Sequence, residues 1–514
     1  MDSSEQKRGK VYIVGAGPGD PGLMTVRGLA CLKEADVVIY DYLANPRILR
    51  EARSDARLIY VGKKGGCHSI SQDELNDLLL KEARAGRRVT RLNGGDPFLF
   101  GRGGEEAQIL ARQGIDFEIV PGVASAVAVP AYAGIPLTHR RLTSTVAFVT
   151  GHEDPMKEES SIDWKSLAGI GTVVFLMGVK NLTVIASRLM EAGKTADAPA
   201  ALIRWGTMPE QRTLTAPLCE IAARAEQEGF APPAILVVGD VVELREELSW
   251  FEKKPLFGKT VLVTRPEEQA GHLADLLEQE GAQVLRFPLI EIAPPRSWAA
   301  LDGAVGNIQD YDWIVFSSVN GVKYFFDRLE KAGKTRRDLA GSGICAIGSV
   351  TAAALDRKGV FVDIMPDDFV SEALLKAFEG HDVSGKRILL PRAAEARDVI
   401  PETLQRRGAR VDDIHAYQAT PVDKKIEDLE SLVSERPLDI ITFTSPSAVR
   451  SFVRIIGSRR ALVKGVQIAS IGPVTAEALK EAGLPCRITA KEYTAPGLVR
   501  AIVECWFEAA AGNG

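Results

Sequence analysis

The chain has 514 residues, of which 46% are hydrophobic and 25% charged, with a formal net charge of −5. That length is more than one hydrophobic core supports, and the expectation is two to four domains. The charge balance gives no reason to expect a nucleic-acid partner. No secretory segment or membrane-length apolar run is visible, so the cytoplasm is the expected compartment. Six cysteines at 31, 67, 219, 345, 486 and 505 form no C-x-x-C pair, and the six histidines show no ligand spacing. Neither a disulfide framework nor a metal site is expected.

From Val11 to about Pro121, short apolar runs alternate with amphipathic segments. "VYIVG", "DVVIYD", "RLIYVG", "RVTRLNGGD" and "FEIVPG" read as strands, and "SQDELNDLLLKEARAG" as a helix. Such alternation predicts an α/β domain with a largely parallel sheet. A second set, "STVAFVTGH", "TVVFLMG", "AALIRWG", "QRTLTAPL" and "AILVVGDVV", begins near Leu142. "AALIRWG" and "QRTLTAPL" lie close enough to form a hairpin, so this lobe is expected to carry a mixed sheet. "SWFEKKPLFG" (249–258) breaks the rhythm and marks the main domain boundary.

The first strand ends in "GAGPGDPG". Gly17, Gly19 and Gly22 fit the dinucleotide pattern G-x-G-x-x-G, but Pro18 and Pro21 fall between them. A pyrophosphate is held by backbone N–H groups, and proline has none. The turn is therefore either structural or a loop for a nucleoside ligand without phosphates. "RLNGGDPFLFGRGGEEA" (91–107) and "PGVASA" (121–126) are further loops at strand ends, where open α/β sheets bind ligands. S-adenosylmethionine, with a sulfonium, an amino acid and an adenosine, suits them chemically.

Beyond the boundary lies a tandem repeat. "GKTVLVTRPEE" from Gly258 matches "GKRILLPRAAE" from Gly385, and "DWIVFSSVNGV" from Asp312 matches "DIITFTSPSAV" from Asp439, both at an offset of 127. "IGSVTAAAL" from Ile347 matches "IGPVTAEAL" from Ile471 at an offset of 124. Two equivalent α/β lobes with a cleft between them are expected.

Residues 10–248 resemble a uroporphyrinogen-III C-methyltransferase of the tetrapyrrole methylase family. The motifs that carry the resemblance are "VGAGPGDPGLMTVRG", "YDYLANP", "VGKKGGCHSISQDE", "RLNGGDPFLFGRGGEE", "VPGVASA", "AGIPLTHR", "VTGH", "FLMGVKNL" and "IRWGTMPEQR". The resemblance implies two α/β lobes (about 10–138 and 139–248), S-adenosylmethionine as cofactor, and a homodimer. It implies cofactor contacts at Pro18, Gly94, Gly95, Asp96, Leu99, Ala124, Ser125, Met177 and Gly206. Ala124 stands where the family often has threonine, and Ser125 is the adjacent hydroxyl. A proton acceptor is implied at Asp41 and a proton donor at Lys63. The resemblance implies a macrocyclic substrate with eight carboxylates, for which Lys64, His68, Arg102, Arg140 and Arg141 are candidate anchors by charge and fork geometry.

Residues 258–505 resemble a uroporphyrinogen-III synthase through "VLVTRP", "DWIVFSSVNGV", "AIGSVTAAAL", "ILLPRA", "YQATP", "TFTSPSAV" and "IGPVTAEAL". The resemblance implies two flavodoxin-like lobes, 258–292 plus 420–505 and 295–416. Two extended crossings are expected near "PLIEIAPP" and "HAYQATPV". Tyr417 is the candidate to assist loss of a hydroxyl group. Ser318, Thr351, Ser445 and Thr475 lie in paired loop motifs, as hydrogen-bond donors to substrate carboxylates or as helix caps. Residues 1–9 and 506–514 are expected as tails and 249–257 as a linker.

The combined expectation is a bifunctional enzyme that cyclises hydroxymethylbilane to uroporphyrinogen III and methylates it to precorrin-2. The competing readings are a nicotinamide-dependent dehydrogenase, from G-x-G-x-x-G, and a bilobed ligand-binding or sensory module, from the repeat.

Overall fold

In a computed structural model of the chain, the residues described are 9–62, 70–152, 161–366, 371–394, 398–434 and 437–511. The chain divides into two compact units, Met1–Gly258 and Lys259–Gly514.

The first unit opens with five strands: β1 (Lys10–Gly15), β2 (Val37–Tyr40), β3 (Arg57–Tyr60), β4 (Arg88–Asn93) and β5 (Asp116–Val120). They form one parallel sheet in the order β3-β2-β4-β1-β5. Successive side chains of a strand point to opposite faces. Val14 and Ala16 meet Cys31 and Leu32 of the helix Val26–Glu34 on one face. Val11 and Ile13 meet Leu75, Leu79 and Leu110 of the helices Gln72–Arg84 and Gly103–Arg112 on the other. The connections leaving neighbouring strands β1 and β4 thus turn to opposite faces, which opens a crevice at their carboxyl ends. Each fully buried Leu or Ile in these layers contributes about 1.5–3 kcal/mol.

The helix Gln72–Arg84 forms where its sequence predicts. Ser71 accepts from the Glu74 backbone N–H at 3.2 Å, and the Glu74 carboxylate accepts from the Ser71 N–H at 2.6 Å. This reciprocal cap satisfies two donors that the first turn leaves open.

The second sheet holds β6 (Val146–Thr150), β7 (Thr172–Leu176), β8 (Pro199–Arg204), β9 (Arg212–Pro217) and β10 (Ala234–Val238), ordered β6-β7-β10-β8-β9. It is mixed: β6 and β7 are parallel, the other pairs antiparallel, and β8–β9 is the expected hairpin. Ala126, Val129 and Ala133, in and just beyond the helix Ser125–Tyr132, pack on this sheet although the helix follows β5 of the first. Residues 249–257 are folded rather than free. Phe251 is buried edge-on to Tyr132, and Glu252 accepts from Gln211 and Thr213.

The second unit contains β11 (Thr260–Val263), β12 (Gln283–Arg286), β13 (Ile290–Ala293), β14 (Trp313–Phe316), β15 (Gly343–Ala346), β16 (Arg387–Ala393), β17 (Arg410–Pro421), β18 (Ile440–Phe443), β19 (Gln467–Ser470) and β20 (Cys486–Thr489). One sheet is parallel in the order β12-β11-β18-β19-β20, a flavodoxin-like 2-1-3-4-5 arrangement. The other runs β13-β17-β16-β14-β15. By the repeat, β17-β16-β14-β15 corresponds strand for strand to β12-β11-β18-β19. The chain crosses between lobes through an antiparallel ribbon, with Ile290 opposite Pro421 and Ala293 opposite Gln418. This ribbon belongs to the second lobe's sheet. The last helix, Ala495–Ala511, continues into the residues expected as a tail.

Candidate active sites

A cavity of about 760 Å³ lies in the first unit at the carboxyl ends of β1, β2 and β4, and its far wall comes from the second sheet. The two glycine loops that line it are stitched to each other. Gly17 N–H donates to Gly95 O at 3.2 Å, and Gly95 N–H donates to Gly17 O at 2.7 Å. Both glycines have positive φ, 77° and 69°, which glycine adopts without steric cost. The first loop is pinned elsewhere as well: Asn45 Nδ2 donates to Gly19 O at 2.6 Å, and Tyr132 OH donates to Asp20 at 2.7 Å.

Arg91, buried on β4, is the charge centre of the cavity floor. Its guanidinium reaches Asp41 Oδ2 at 3.3 Å and Glu106 Oε1 at 3.3 Å, and donates to Leu92 O at 2.9 Å. Asp41, at the end of β2, also accepts from Leu43 N–H at 3.0 Å. Gln72 donates to Glu106 Oε1 at 3.3 Å, while Glu106 Oε2 is buried with no hydrogen-bond partner. Burial pushes the Glu106 carboxyl above the usual glutamate range against the opposing pull of Arg91. Asn93, beside Arg91's strand end, has both amide atoms buried and unpartnered on the same cavity wall. Arg102 is paired with Glu105 at 2.6 Å.

Backbone strain is concentrated here. Among the described residues, the non-glycine positions with positive φ are Phe100, Arg102, Met177, Trp205 and Thr207. The first four line the cavity, and Thr207 adjoins Gly206, which does. Strain of this kind persists only where the surroundings over-determine it, and it clusters at ligand sites.

The second unit has its own cavity, of about 820 Å³, on the carboxyl ends of the strands of both lobes and the connecting ribbon. Tyr417, on β17, lines it. The phenol lies 2.8 Å from Ser318 Oγ, and its ring stacks on Tyr324 at 6.0 Å between centroids. Arg265, Gln269, Asn320, Ser445 and Arg450 are also on the wall.

The family model described as "Tetrapyrrole (Corrin/Porphyrin) Methylases" matches residues 10–222, and the one described as "Uroporphyrinogen-III synthase HemD" matches residues 271–500. A Ruminiclostridium josui protein named "Porphyrin biosynthesis protein HemD" is 38% identical over 97% of this chain and 98% of its own length. The chain belongs to the family of fused tetrapyrrole methylases and uroporphyrinogen-III synthases. A Methanosarcina barkeri protein named "S-adenosyl-L-methionine-dependent uroporphyrinogen III methyltransferase" is 52% identical, over 47% of this chain and 94% of its own. A crystal structure of Uroporphyrin-III C-methyl transferase from Thermus thermophilus, complexed with S-adenyl homocysteine, covers 46% of this chain and 99% of that one. Its identity is 41% and its TM-score 0.39.

In the methylase half, the structure brings Pro18, Asp41, Gly94, Gly95, Leu99, Arg102, Ser125, Met177 and Gly206 to one cavity. Asp96 and Ala124 are off its wall. The Asp96 carboxylate is taken up by Phe98 N–H at 2.8 Å and Gly122 N–H at 3.0 Å, which ties the second glycine loop to "PGVASA". Arg140 and Arg141 are exposed and do not line the cavity. Lys63, Lys64 and His68 lie outside the described residues. Arg91, Glu106, Gln72 and Asn93 were not singled out by sequence. The available signal was charge on a strand between apolar neighbours, as in "RVTRLN".

In the synthase half, Tyr417 and Ser445 line the cavity. Ser445 caps the helix Pro446–Ile456, accepting from Ala448 N–H at 3.2 Å. Ser318 caps the helix Val319–Lys331 and touches the cavity only through Tyr417. Thr351 and Thr475 are buried in the first turns of their helices and do not line it. Among the described residues, no acidic, histidine or cysteine cluster could hold a metal, and no helix is long and apolar enough to cross a membrane. The dehydrogenase reading of the glycine turn has no support from the family matches.

Proposed function

We infer that the chain performs two consecutive steps of tetrapyrrole synthesis. The synthase half cyclises hydroxymethylbilane to uroporphyrinogen III with inversion of the last ring. The methylase half then methylates that product at C2 and C7 with S-adenosylmethionine, giving precorrin-2. What carries this reading is the end-to-end match to a single relative across both family regions.

The methylase cavity fits S-adenosylmethionine chemically. It offers a phosphate little: Pro18 and Pro21 lack N–H groups, and the buried wall arginine Arg91 already faces two carboxylates. Asn93 offers an unused donor and an unused acceptor, as an adenine edge or an amino-acid group requires. When bound, the cofactor supplies an electrophilic methyl group. Pro18, Gly94, Gly95, Leu99, Ser125, Met177 and Gly206 hold it and exclude water. At Gly206 a Cβ would come within 2.3 Å of Val129, so the wall there admits only glycine without displacement.

Asp41 takes the proton that the methylated ring system must release. Leu43 N–H fixes one of its oxygens and Arg91 the other. Lys63 is the proposed donor, and Arg102, Lys64, His68, Arg140 and Arg141 are the proposed carboxylate anchors. In the synthase half Tyr417 assists departure of the terminal hydroxyl, Ser445 supports binding, and Ser318 acts through Tyr417; Thr351 and Thr475, buried in the first turns of their helices, take no part in binding. We also propose a homodimer formed through the methylase half and a cytoplasmic location, both on family resemblance.

The test is to supply purified protein with fresh hydroxymethylbilane and then with methyl-labelled S-adenosylmethionine. The expected products are the type III macrocycle, then a doubly labelled one. Type I macrocycle alone, with no label entering added uroporphyrinogen III, would overturn both halves of the proposal.

A further inference from the structure

The internal repeat supplies a control for the synthase cavity. The offset of 127 that aligns "VTRPEE" with "LPRAAE" places Arg265 opposite Arg392. Arg265 follows the first strand of its repeat, β11, and Arg392 lies at the carboxyl end of its counterpart, β16. Their surroundings differ in charge.

Arg392 is buried and neutralised. It donates to both oxygens of Asp413 and to Asp398 at 2.6 Å. Asp413 faces Leu390 across β16 and β17. The same register in the other lobe pairs Val263 with Arg286, so an arginine occupies the place of Asp413. The place of Asp398 is taken by Gly271. One lobe keeps an arginine with two carboxylates; the other keeps the arginine, loses both carboxylates and gains a second cation.

Arg286 has a carboxylate of its own, Glu267 at 3.4 Å. Arg265 is left with a neutral contact, donating to Gln269 Oε1 at 3.2 Å, and Gln269 in turn donates to Asn320. No carboxylate among the described residues forms an ion pair with Arg265, although Glu477 and Glu481 stand elsewhere on the same cavity wall. Burial pushes the Arg265 guanidinium pKa down, whereas the hydrogen bond to Asp413 pushes that of Arg392 up. Both remain cations at neutral pH, because an arginine is effectively always protonated. A partly desolvated, uncompensated guanidinium is costly unless an anion completes it.

We propose that Arg265 is a carboxylate anchor of the synthase cavity, gripping an acetate or propionate side chain of the linear tetrapyrrole. The proposal rests on the synthase reading above. The planar fork meets a carboxylate with two parallel N–H bonds. An anchor in one lobe fixes one part of a flexible chain while the ribbon and the facing lobe position the rest.

The full-length chain carrying Arg265→Gln tests it, alongside Arg265→Lys. The expected result for Arg265→Gln is a KM for hydroxymethylbilane raised about tenfold or more, with kcat within about threefold of the parent. Arg265→Lys should recover part of that loss, and neither variant should lower the thermal midpoint. An unchanged KM in Arg265→Gln, with the parent making type III product, would overturn the anchor and leave the synthase reading standing. A KM rise matched by a fall in thermal midpoint, equal in both variants, would assign Arg265 to structure instead. A parent that makes no type III product would sink the synthase reading and the anchor together.

Discussion

The two cavities of this chain handle charge in opposite ways. In the methylase half, the wall arginines Arg91 and Arg102 are matched by Asp41, Glu106 and Glu105, and the loops are bonded to each other. Every positive-φ non-glycine residue among the described ones is also in that half. In the synthase half, Arg265 has no carboxylate partner among the described residues, and no described non-glycine residue there has a positive φ. A compact cofactor and a proton acceptor need a shape fixed before the ligand arrives. A long, flexible polyanion can complete the charge balance of its own site. The first arrangement stores strain and pairing in the protein; the second leaves them for the substrate to resolve.

The largest expected effect breaks the first arrangement at its acid. Asp41→Asn keeps the shape and an acceptor for Leu43 N–H but removes the proposed base and the charge opposite Arg91. Methyl transfer should fall by about 10²–10⁴-fold, and cyclisation of hydroxymethylbilane should stay within about twofold. Parallel kinetics on one preparation decide it, since equal losses in both activities would point to a damaged fold.

Arg392 is the counterpart in the synthase half, where pairing serves structure rather than substrate. Arg392→Met leaves Asp413 and Asp398 without their shared cation. Because both carboxylates keep contact with water, the cost should be about 2 kcal/mol, short of the 3–5 of a fully buried pair. Urea unfolding measures it. KM for the bilane should hold, the reverse of the outcome expected at Arg265.

Much of this layout is legible in the sequence, for physical reasons that differ by element. Strand runs such as "VYIVG" and "TVVFLMG" are covered on both faces, so they read as continuous apolar stretches and fall where expected. The glycine loops are visible because close approach and positive φ restrict residue type, as at Gly17 and Gly95. The capped helix after Ser71 is visible because its cap is local. What stays hidden is long-range. Nothing near Arg91 in sequence announces that Asp41, fifty positions earlier, shares its guanidinium with Glu106. Asp96 reads as a ligand residue but is consumed in tying two loops together. Thr351 and Thr475 read as donors to substrate carboxylates or as helix caps, but they are buried, because a repeat motif does not say which face of a helix turns inward.

Glu106 asks whether the methylase floor is governed by burial or by pairing. Its carboxyl pKa is raised because burial outweighs Arg91. A raised value means that the folded state holds the proton more tightly than the unfolded one. The stability this group contributes is full below the unfolded glutamate value of about 4.3 and is lost as pH climbs through the folded value. Glu106→Gln does not titrate. The difference in thermal midpoint between variant and parent should therefore shift in the variant's favour from pH 5 to pH 8. A constant difference, or one moving the other way, would show that Arg91 sets the group and that the floor is a fully paired network.

The smallest expected effect concerns the hydrogen bond that joins the Ser318 helix cap to Tyr417 on the synthase cavity wall. Ser318 Oγ accepts from Gly321 N–H at 3.1 Å and lies 2.8 Å from the Tyr417 hydroxyl. A serine oxygen has two lone pairs and one proton. With one lone pair given to the cap, its proton can go to Tyr417, so the phenol need not spend its own proton on Ser318. Ser318→Ala then removes a cap and a donor to Tyr417 but not the phenol's proton. The expected cost is about 1 kcal/mol in urea unfolding, with cyclisation slowed a few-fold at unchanged KM. Tyr417→Phe removes that proton and should slow cyclisation far more, with Ser318 still capping its helix. If the two variants are equally slow, Tyr417 spends its proton on Ser318, and hydroxyl loss is assisted from elsewhere in the cavity.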